Sequence, residues 1–332
     1  MDMRKLFAAA VLLVFLGVPG AAAELDVRHG DAEFTPAATE AELPDLFRLE
    51  PRKFSFEQVP QRTVSKKITI SEVRFPSPVV TPHENNNTVH CEYFRPGAPG
   101  KYPGVIVLHI LGGDFDLARM FARSLAHSGV GALFLKMPYY GPRRQPEVDA
   151  RMISIDPEMT VAGMRQAVLD IRCARAWLLA QEEIDPEQTG VFGISLGGIT
   201  AGLAASAEPR FNRVCMMLAG GGIGQVTWDN PEMSKAREYW LAKGGTRESF
   251  CEILEKIDPA AYARPVAGRQ ILMLNAQHDE VIPPSCTKTL WNAFGKPEIH
   301  WYDAGHYSAL RYIDDGAHRV TRFFSAPKEQ TH

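Results

Sequence analysis

The feature that most constrains the fold is the stretch 189–198, where a strand, a sharp turn and the start of a helix follow one another. Residues 191–194 form a short apolar run of the kind that builds a buried central strand. This run leads into Gly193-x-Ser195-x-Gly197, and a helix-compatible run of small residues follows. Since glycine on either side of the serine removes Cβ groups that would collide with neighbouring elements, the pattern predicts a strained turn that exposes the Ser195 hydroxyl.

Apolar runs typical of buried strands alternate with helix-compatible segments along most of the chain. Two antiparallel strands are predicted first, over 64–75 and 88–94. Further strands are predicted at 105–110, 130–137, 191–194, 214–218, 270–275 and 298–302, and helices at 117–127, 157–181, 284–294 and 308–324. This order predicts an α/β fold, in which a mostly parallel, twisted sheet carries helices on both faces.

Changes in this alternation of strands and helices divide the chain into segments. Residues 24–62 are polar and contain four prolines, so they are interpreted as an extended N-terminal arm. Residues 63–327 are interpreted as one domain with no internal repeat. Within it, residues 223–265 break the strand–helix alternation and hold helix-like stretches at 234–242 and 247–257. We expect this insertion to be a small helical lid over the strand ends.

The first 23 residues have the organisation of a secretory signal peptide. Arg4 and Lys5 precede an apolar stretch over 6–18, and small residues that suit cleavage end at Ala23. The alternative is an N-terminal membrane anchor, although the apolar stretch is short for a span. We therefore expect a secreted or periplasmic protein without stable membrane insertion of the mature chain. The net charge of −3 gives no indication of nucleic-acid binding.

An exported chain can form disulfides, and this one has five cysteines, an odd number. Cys173 and Cys215 lie in apolar stretches and are interpreted as core residues. Cys251 and Cys286 could pair, but the sequence does not decide this. Residues 86–88 form a glycosylation sequon. No Cys or His spacing indicates a metal site.

A serine needs a base to become a nucleophile, and the base needs a carboxylate to orient it. In parallel sheets such groups lie at the carboxyl ends of strands. Asp279 follows the predicted strand 270–275, and His306 follows the predicted strand 298–302. The order Ser195, Asp279, His306 is the order of the α/β-hydrolase arrangement. Glu280 or Asp303 could hold the histidine instead of Asp279.

Two backbone N–H groups are expected to hold the oxyanion of a tetrahedral intermediate. The first is that of Leu196, at the start of the helix after the serine. The second should come from the loop after the strand 105–110, where Leu111 is the first choice and Ile110 the second. His109 is interpreted as a structural residue that fixes this loop.

Three aromatic residues are candidates for substrate binding. Tyr139 and Tyr140 follow the predicted strand 130–137, and they either line the pocket and donate a hydrogen bond or pack beneath the lid. Trp228 belongs to the lid, whose aromatic residues indicate an apolar or sugar-stacking wall.

The motifs together resemble the α/β-hydrolase superfamily over about residues 63–327. The Gly-x-Ser-x-Gly-Gly form at 193–198, with Asp279-x-Val-Ile-Pro and Gly305-His306, is most similar to the branch of dienelactone-hydrolase-like proteins, acetyl xylan esterases and prolyl-oligopeptidase-type catalytic domains. Dienelactone hydrolases use a cysteine nucleophile, so Ser195 argues against that activity. Many family members have His-Gly where this chain has His109-Ile110.

The resemblance and the residues predict a secreted serine hydrolase of the carboxylesterase type that needs no metal or organic cofactor. Its expected partner is a small-molecule or carbohydrate ester. The alternatives are a prolyl-oligopeptidase-type peptidase, for which the chain lacks room for a propeller domain, and an inactive hydrolase-fold binding protein.

Overall fold

The computed structural model describes residues 27–64, 67–113 and 115–327 of the chain. Ten strands are found in these residues: β1 (Arg28–Phe34), β2 (Arg52–Val64), β3 (Ile68–Pro76), β4 (Thr88–Pro96), β5 (Tyr102–Leu108), β6 (Gly131–Lys136), β7 (Ile184–Ile194), β8 (Arg213–Met217), β9 (Gln270–Ala276) and β10 (Glu298–Tyr302). They form one sheet in the order β1-β2-β3-β4-β6-β5-β7-β8-β9-β10.

The sheet is mixed, and its parallel part is the part that the sequence predicts best. β1 to β4 pair antiparallel in sequence order, and β4 pairs antiparallel with β6. From β6 to β10 every pairing is parallel. Parallel neighbours need crossover connections, which the helices between them supply. The predicted α/β fold with a mostly parallel sheet is confirmed.

The described helices are α1 (Asp116–His127), α2 (Pro157–Leu179), α3 (Leu196–Ala207), α4 (Ile223–Asp229), α5 (Ser234–Ala242), α6 (Arg247–Glu255), α7 (Pro259–Tyr262), α8 (Pro284–Ala293) and α9 (Ile313–Ser325). Their boundaries have local causes. α2 begins at Pro157 because the Asp156 carboxylate caps it and accepts the N–H of Glu158. The predicted last helix starts later than expected, since residues 308–312 form a 3-10 turn before α9.

Helices cover both faces of the sheet and define two layers of core. Ile106 and Leu108 of β5 join the core that contains the apolar residues of α2 and α3. Val105 and Val107, which point the opposite way, join the core formed with α1 and α9. Because β5 is buried on both faces, its sequence is a continuous apolar run rather than an alternation.

The N-terminal segment corrects one prediction. Residues 24–62 were expected to form an arm separate from the domain, but β1 and β2 add two strands to the sheet, and β2 crosses the expected boundary at residue 63. Phe54 and Phe56 alternate with polar residues and are buried, and the Phe56 ring packs edge-on against Trp177 of α2 at 5.8 Å. The polar residues that suggested an arm form the solvent-facing side of β2.

A buried ion pair fastens this segment to α2. The Arg172 guanidinium, fully buried, donates to both carboxylate oxygens of Glu40, at 2.8 and 2.5 Å, and to the carbonyl of Phe47. The same guanidinium lies 4.8 Å from the centre of the Phe34 ring in β1. The segment before β2 is therefore held by charge as well as by apolar burial.

The insertion at 223–265 contains the four short helices α4 to α7, and the boundaries of α5 agree with the prediction. The chain leaves the sheet at the carboxyl end of β8 and returns at the start of β9. α6 packs against α2, and α7 packs against α3 and α8. Asp258 anchors the base of the insertion, since its carboxylate accepts the N–H groups of Gly222, Ile223 and Ala260.

The five cysteines are all free. Cys173 and Cys215 are buried, as the sequence predicts. Cys251 lies on α6 against Gly224, whereas Cys286 lies on α8 against Gly220, and the two do not form the pair left open by the sequence. Asn86 of the sequon is fully buried and hydrogen-bonded to Gln166, so in this fold it is inaccessible to glycosylation.

The predicted signal peptide at residues 1–23 lies outside the described residues. Among the described helices, none is both long and apolar enough to span a bilayer.

Candidate active site

The turn at Ser195 connects the central strand β7 to α3. Ser195 has φ 54° and ψ −116°, a strained conformation for a residue with a side chain. A Cβ at Gly193 would overlap the carbonyl of Gly197, and a Cβ at Gly197 would lie 2.7 Å from the carbonyl oxygens of Leu108 and His109. Both glycines are therefore required by close backbone approach, as the motif predicts.

The structure brings Ser195, His306 and Asp279 into one series of hydrogen bonds. The Ser195 Oγ lies 3.0 Å from the His306 Nε2, and the His306 Nδ1 lies 2.8 Å from the Asp279 Oδ2. A carboxylate can only accept, so the proton is on Nδ1, and the bare Nε2 faces the serine hydroxyl. This is the geometry in which an imidazole can take a proton from a hydroxyl group.

Asp279 is buried and fixed by its own loop after β9. Its Oδ1 accepts the N–H groups of Val281 and Ile282, at 2.9 and 2.7 Å, which leaves Oδ2 for the histidine. His306, in the loop after β10, is also buried. Asp279 and His306 therefore lie in the loops that follow adjacent strands, at the carboxyl edge of the sheet.

Neither alternative carboxylate holds the imidazole. Asp303 accepts from the exposed His278 ring at 2.9 Å. Glu280 accepts the backbone N–H of His306 at 2.9 Å. A Cβ at Gly305 would overlap the Glu280 carboxylate, so a larger residue there would displace this side chain from the His306 N–H.

The sequence pattern did not reveal this role of Glu280. Its only signal was the position directly after Asp279, and a side chain that reaches a backbone N–H in another loop leaves no periodic pattern. The contact ties the acid loop to the base loop and fixes the backbone that carries the imidazole.

The two expected oxyanion donors lie in the expected places. Leu196 is the first residue of α3, where a backbone N–H has no acceptor within its own helix. Leu111 lies in the turn after β5 and is 45% exposed. β5 ends two residues earlier than predicted, so His109 and Ile110 belong to this turn. That either N–H group stabilises an oxyanion stays a prediction.

Tyr139 and Tyr140 pack against protein groups. Tyr139 has φ 63°, its N–H donates to Asn86 Oδ1 at 2.9 Å, and its ring meets His83. The Tyr140 ring lies 4.6 Å from the His109 ring, and its burial raises the pKa of its hydroxyl to about 12. A role in substrate contact stays a prediction for both.

Trp228, the third candidate for substrate binding, lies on α4 and is partly buried. Its ring packs edge-on against Phe250 at 5.2 Å, and its carbonyl accepts from Arg237. It therefore supports the interior of the insertion, and substrate contact by its remaining face stays a prediction.

A buried polar network supports the loop after β6, and the sequence did not reveal it. The Arg143 guanidinium and the Asp170 carboxylate, both fully buried, pair at 2.8 Å. Arg143 also donates to the carbonyls of Lys136 and Asn86. This network holds the segment that carries the two tyrosines. Its members lie far apart in the chain, so only the folded topology brings them together.

Among the described residues, no group of three or more His, Cys, Asp or Glu side chains is placed to hold a metal ion.

Solved structures share this architecture at low sequence identity. Acetyl xylan esterase 1 from Thermoanaerobacterium sp. JW/SL YS485 superposes with a TM-score of 0.65 at 19% identity, covering 89% of this chain and 95% of that chain. The acetyl xylan esterase from Paenibacillus sp. R4 has a TM-score of 0.62 at 19% identity, covering 86% and 90%. A putative dienelactone hydrolase from Klebsiella pneumoniae has a TM-score of 0.52 at 18% identity, covering 78% and 99%.

The fold places the protein in the α/β-hydrolase superfamily, a class of hydrolases. More narrowly, the chain belongs to the family described as alpha/beta hydrolase domain containing 18, whose model matches residues 48–222. The model of the prolyl oligopeptidase family matches residues 165–328. The two matches overlap on the segment that contains Ser195.

Two uncharacterized proteins of Mycobacterium tuberculosis, from strains CDC 1551 and H37Rv, are each 31% identical to this chain over 211 residues. The match covers 61% of this chain and 47% of each relative. The chain therefore spans about half the length of the curated relatives it matches.

Proposed function

We propose that this protein is a serine hydrolase of carboxylic esters, in which Ser195 is the nucleophile, His306 the base and Asp279 its carboxylate partner. One observation carries the proposal: the continuous series of hydrogen bonds from the Ser195 Oγ through the His306 imidazole to the Asp279 carboxylate, at 3.0 and 2.8 Å. The strained turn supports it as well, because a serine held at φ 54° is the geometry of a nucleophile elbow.

The reaction follows from these positions. The Ser195 Oγ attacks the acyl carbon while its proton passes to the His306 Nε2, and the resulting imidazolium is stabilised by Asp279. The oxyanion of the tetrahedral intermediate accepts hydrogen bonds from the N–H groups of Leu196 and Leu111. On collapse, the alcohol leaves with the proton from His306, and an acyl-enzyme remains.

Water completes the cycle in the same site. His306 takes a proton from the water as it attacks the acyl carbon, and a second tetrahedral intermediate forms at the same two N–H groups. Its collapse returns the proton to Ser195 and releases the carboxylic acid. The residues named here supply every proton transfer in this scheme.

The proposed substrate is a small-molecule or carbohydrate ester. Two of the structural neighbours are acetyl xylan esterases, which supports an acetylated sugar as the first substrate to test. A panel of p-nitrophenyl esters from acetate to decanoate, together with acetylated xylo-oligosaccharides, measures both the acyl and the alcohol preference through kcat/KM.

Labelling with a fluorophosphonate probe tests the nucleophile directly. The wild-type protein is expected to be labelled and to hydrolyse p-nitrophenyl acetate, whereas Ser195→Ala loses both, because no other residue takes the place of the nucleophile. Ser206→Ala is the matched control, since Ser206 lies on the same helix and its hydroxyl donates to the Gly202 carbonyl. Equal labelling of Ser195→Ala and wild type would refute the proposal, and an unlabelled wild type would favour an inactive binding protein.

A second candidate is a prolyl-oligopeptidase-type peptidase, supported by the family model that matches residues 165–328. The same nucleophile would attack an amide instead of an ester. A panel of aminoacyl and prolyl naphthylamides tests this candidate, and it is favoured if kcat/KM for a prolyl amide exceeds that for every ester.

Export of the mature protein is part of the proposal and is supported by the plan of residues 1–23. N-terminal sequencing of protein recovered from the medium or periplasm is expected to begin at about residue 24. Recovery of an uncleaved chain with the membrane fraction would favour the anchor instead.

A further inference from the structure

The ring of His109 is buried beside the turn after β5, and both of its nitrogens are engaged. The backbone N–H of Met137 donates to Nε2 at 3.1 Å, and Nδ1 lies 2.8 Å from the carbonyl oxygen of Ile110. The ring is 1% exposed and is surrounded edge-on by the rings of Phe115, Phe134 and Tyr140.

These two contacts define which nitrogen of His109 carries the proton. A backbone N–H can only donate, so Nε2 must accept from Met137 and has no proton. A carbonyl can only accept, so Nδ1 must carry the proton and donate it to Ile110. The ring stays neutral because burial lowers the pKa of His109 to about 4.

The hydrogen bond to Ile110 fixes the direction of the next N–H group. The carbonyl of Ile110 and the N–H of Leu111 belong to one planar trans peptide, in which the two groups point in opposite directions. With the Ile110 carbonyl drawn toward the His109 ring, the Leu111 N–H points away from that ring.

The carbonyl of the preceding peptide, between His109 and Ile110, points toward α3 instead of toward the His109 ring. The carbonyl oxygen of His109 lies 2.7 Å from the position of a Cβ at Gly197, so this carbonyl is directed at the start of α3 beside Ser195. The N–H of Ile110 shares that peptide and points away from the start of α3. This orientation argues against the Ile110 N–H, so of the two donors that the sequence left open, Leu111 remains.

The turn itself does little to hold this arrangement. Gly112 and Gly113 have φ 93° and 77°, and a Cβ at Gly112 would meet nothing within 4 Å. Leu111 is 45% exposed. A peptide followed by two glycines can reverse at low cost, so side-chain contacts select its orientation: the His109 ring at the Ile110 carbonyl and the Tyr140 hydroxyl at the backbone of Gly112.

We infer that His109 is a positioning residue whose Nδ1–H tautomer locks the Ile110–Leu111 peptide and makes the Leu111 N–H the second oxyanion donor. The Tyr140 ring packs on His109 and Gly113 and keeps the imidazole in place. The inference rests on the proposed ester hydrolysis and deepens it.

Two substitutions test the roles of the two ring nitrogens of His109 separately. In His109→Asn the amide nitrogen takes the place of Nδ1, so the donor to Ile110 is kept and the acceptor for Met137 is lost. In His109→Gln the amide oxygen can take the place of Nε2, so the acceptor is kept and the donor to Ile110 is lost. Each variant loses one buried hydrogen bond, so both should show similar losses of thermal stability.

The two variants should differ in activity. Loss of one oxyanion donor costs about 10²–10³ in kcat. We expect His109→Gln to lose about 100-fold in kcat for p-nitrophenyl acetate with KM within about twofold of wild type, and His109→Asn to lose less than about tenfold. The pH dependence of kcat/KM should be unchanged in both, since His306 is untouched. The inference would be overturned if the two variants lost equal activity in proportion to their loss of thermal stability. His109 would then be a packing residue.

The tautomer can be measured without any turnover. In ¹⁵N NMR of the labelled wild-type protein at pH 7, Nδ1 of His109 should have the shift of a protonated ring nitrogen and Nε2 that of a bare one, with His109→Gln assigning the signals. The opposite tautomer would overturn the inference even in an active esterase. If the NMR spectrum shows the proton on Nδ1 but the protein hydrolyses no ester, the proposed function is refuted instead.

Discussion

At the scale of single residues, the site depends on what each hydrogen-bonding group is able to do. The Asp279 carboxylate has one oxygen satisfied by its own loop and one by His306, so it selects the tautomer that leaves Nε2 bare. In the neighbouring turn, the hydrogen-bond partners of His109 select the same tautomer, with the proton on Nδ1. Two histidines thus carry their proton on Nδ1, and we propose different roles for them: His306 accepts a proton from Ser195, and His109 orients a peptide.

Replacing Asp279 by Asn tests the first of these histidines. The amide can donate to Nδ1 and so favours the wrong tautomer, with Nε2 protonated toward Ser195. We expect kcat/KM for p-nitrophenyl acetate to fall by about 10⁴-fold. Asp303→Asn is the control, since Asp303 accepts from the exposed His278, and it should stay within about threefold of wild type. Comparable losses in the two variants would argue against the assigned role of Asp279.

At the scale of elements, strands buried on both faces of the sheet could be predicted from the sequence. Contacts between segments distant in the chain could not. β5 to β9 were found because strands covered on both faces are continuous apolar runs. β2 was missed because only one face is buried, so Phe54 and Phe56 alternate with polar residues. Ser195, Asp279 and His306 were found from their order and positions. The contacts of Glu280, Tyr139 and Tyr140 depend on loops distant in sequence, and no local pattern encodes them.

At Gly197 the start of α3 comes close to the backbone of β5 and its turn, and an Ala there tests that contact. The added Cβ would lie 2.7 Å from the carbonyl oxygens of Leu108 and His109, which belong to the backbone of β5 and its turn and cannot swing aside. We expect a loss of about 2–3 kcal/mol in the free energy of unfolding, together with reduced fluorophosphonate labelling.

The matched control for Gly197→Ala is Gly316→Ala in α9. The Cβ there would lie 3.4 Å from the flexible Met217 side chain, and Ala is favoured over Gly in a helix by about 1 kcal/mol. Urea unfolding should show Gly316→Ala at least as stable as wild type. If both variants unfold like wild type, the close approach at Gly197 has been misjudged.

At the scale of the whole molecule, the N-terminal strands are joined to the hydrolase core by both charge and packing. Burial by itself raises the pKa of Glu40, but the hydrogen bonds and charge of Arg172 outweigh it, so the pKa lies below the usual 4.5. The contribution of Glu40 to stability is thus complete above pH 4.5 and is lost as the pH falls through the folded-state pKa.

Glu40→Gln keeps the shape of the side chain and removes its charge. We expect it to lose about 2 kcal/mol in the free energy of unfolding at pH 7, and this difference from wild type should shrink as the pH is lowered below 4.5, because the unfolded wild-type chain then takes up a proton on Glu40. Urea unfolding at pH 7 and at a pH below 4.5 measures it. Asp45→Asn, which removes the exposed partner of Arg48, should change stability by less than about 0.5 kcal/mol at both. A pH-independent difference for Glu40→Gln would contradict this account.

The position of β10 has a consequence for how such an enzyme would lose its activity. β10 pairs with β9 on one side, and no described strand lies on its other side, yet the loop that follows it carries His306. Ser195 follows a strand in the interior of the sheet, whereas His306 follows a strand at its edge. Local unfolding of that edge would separate the two side chains while the interior stayed folded, so we expect activity to be lost on gentle heating before the rest of the sheet unfolds.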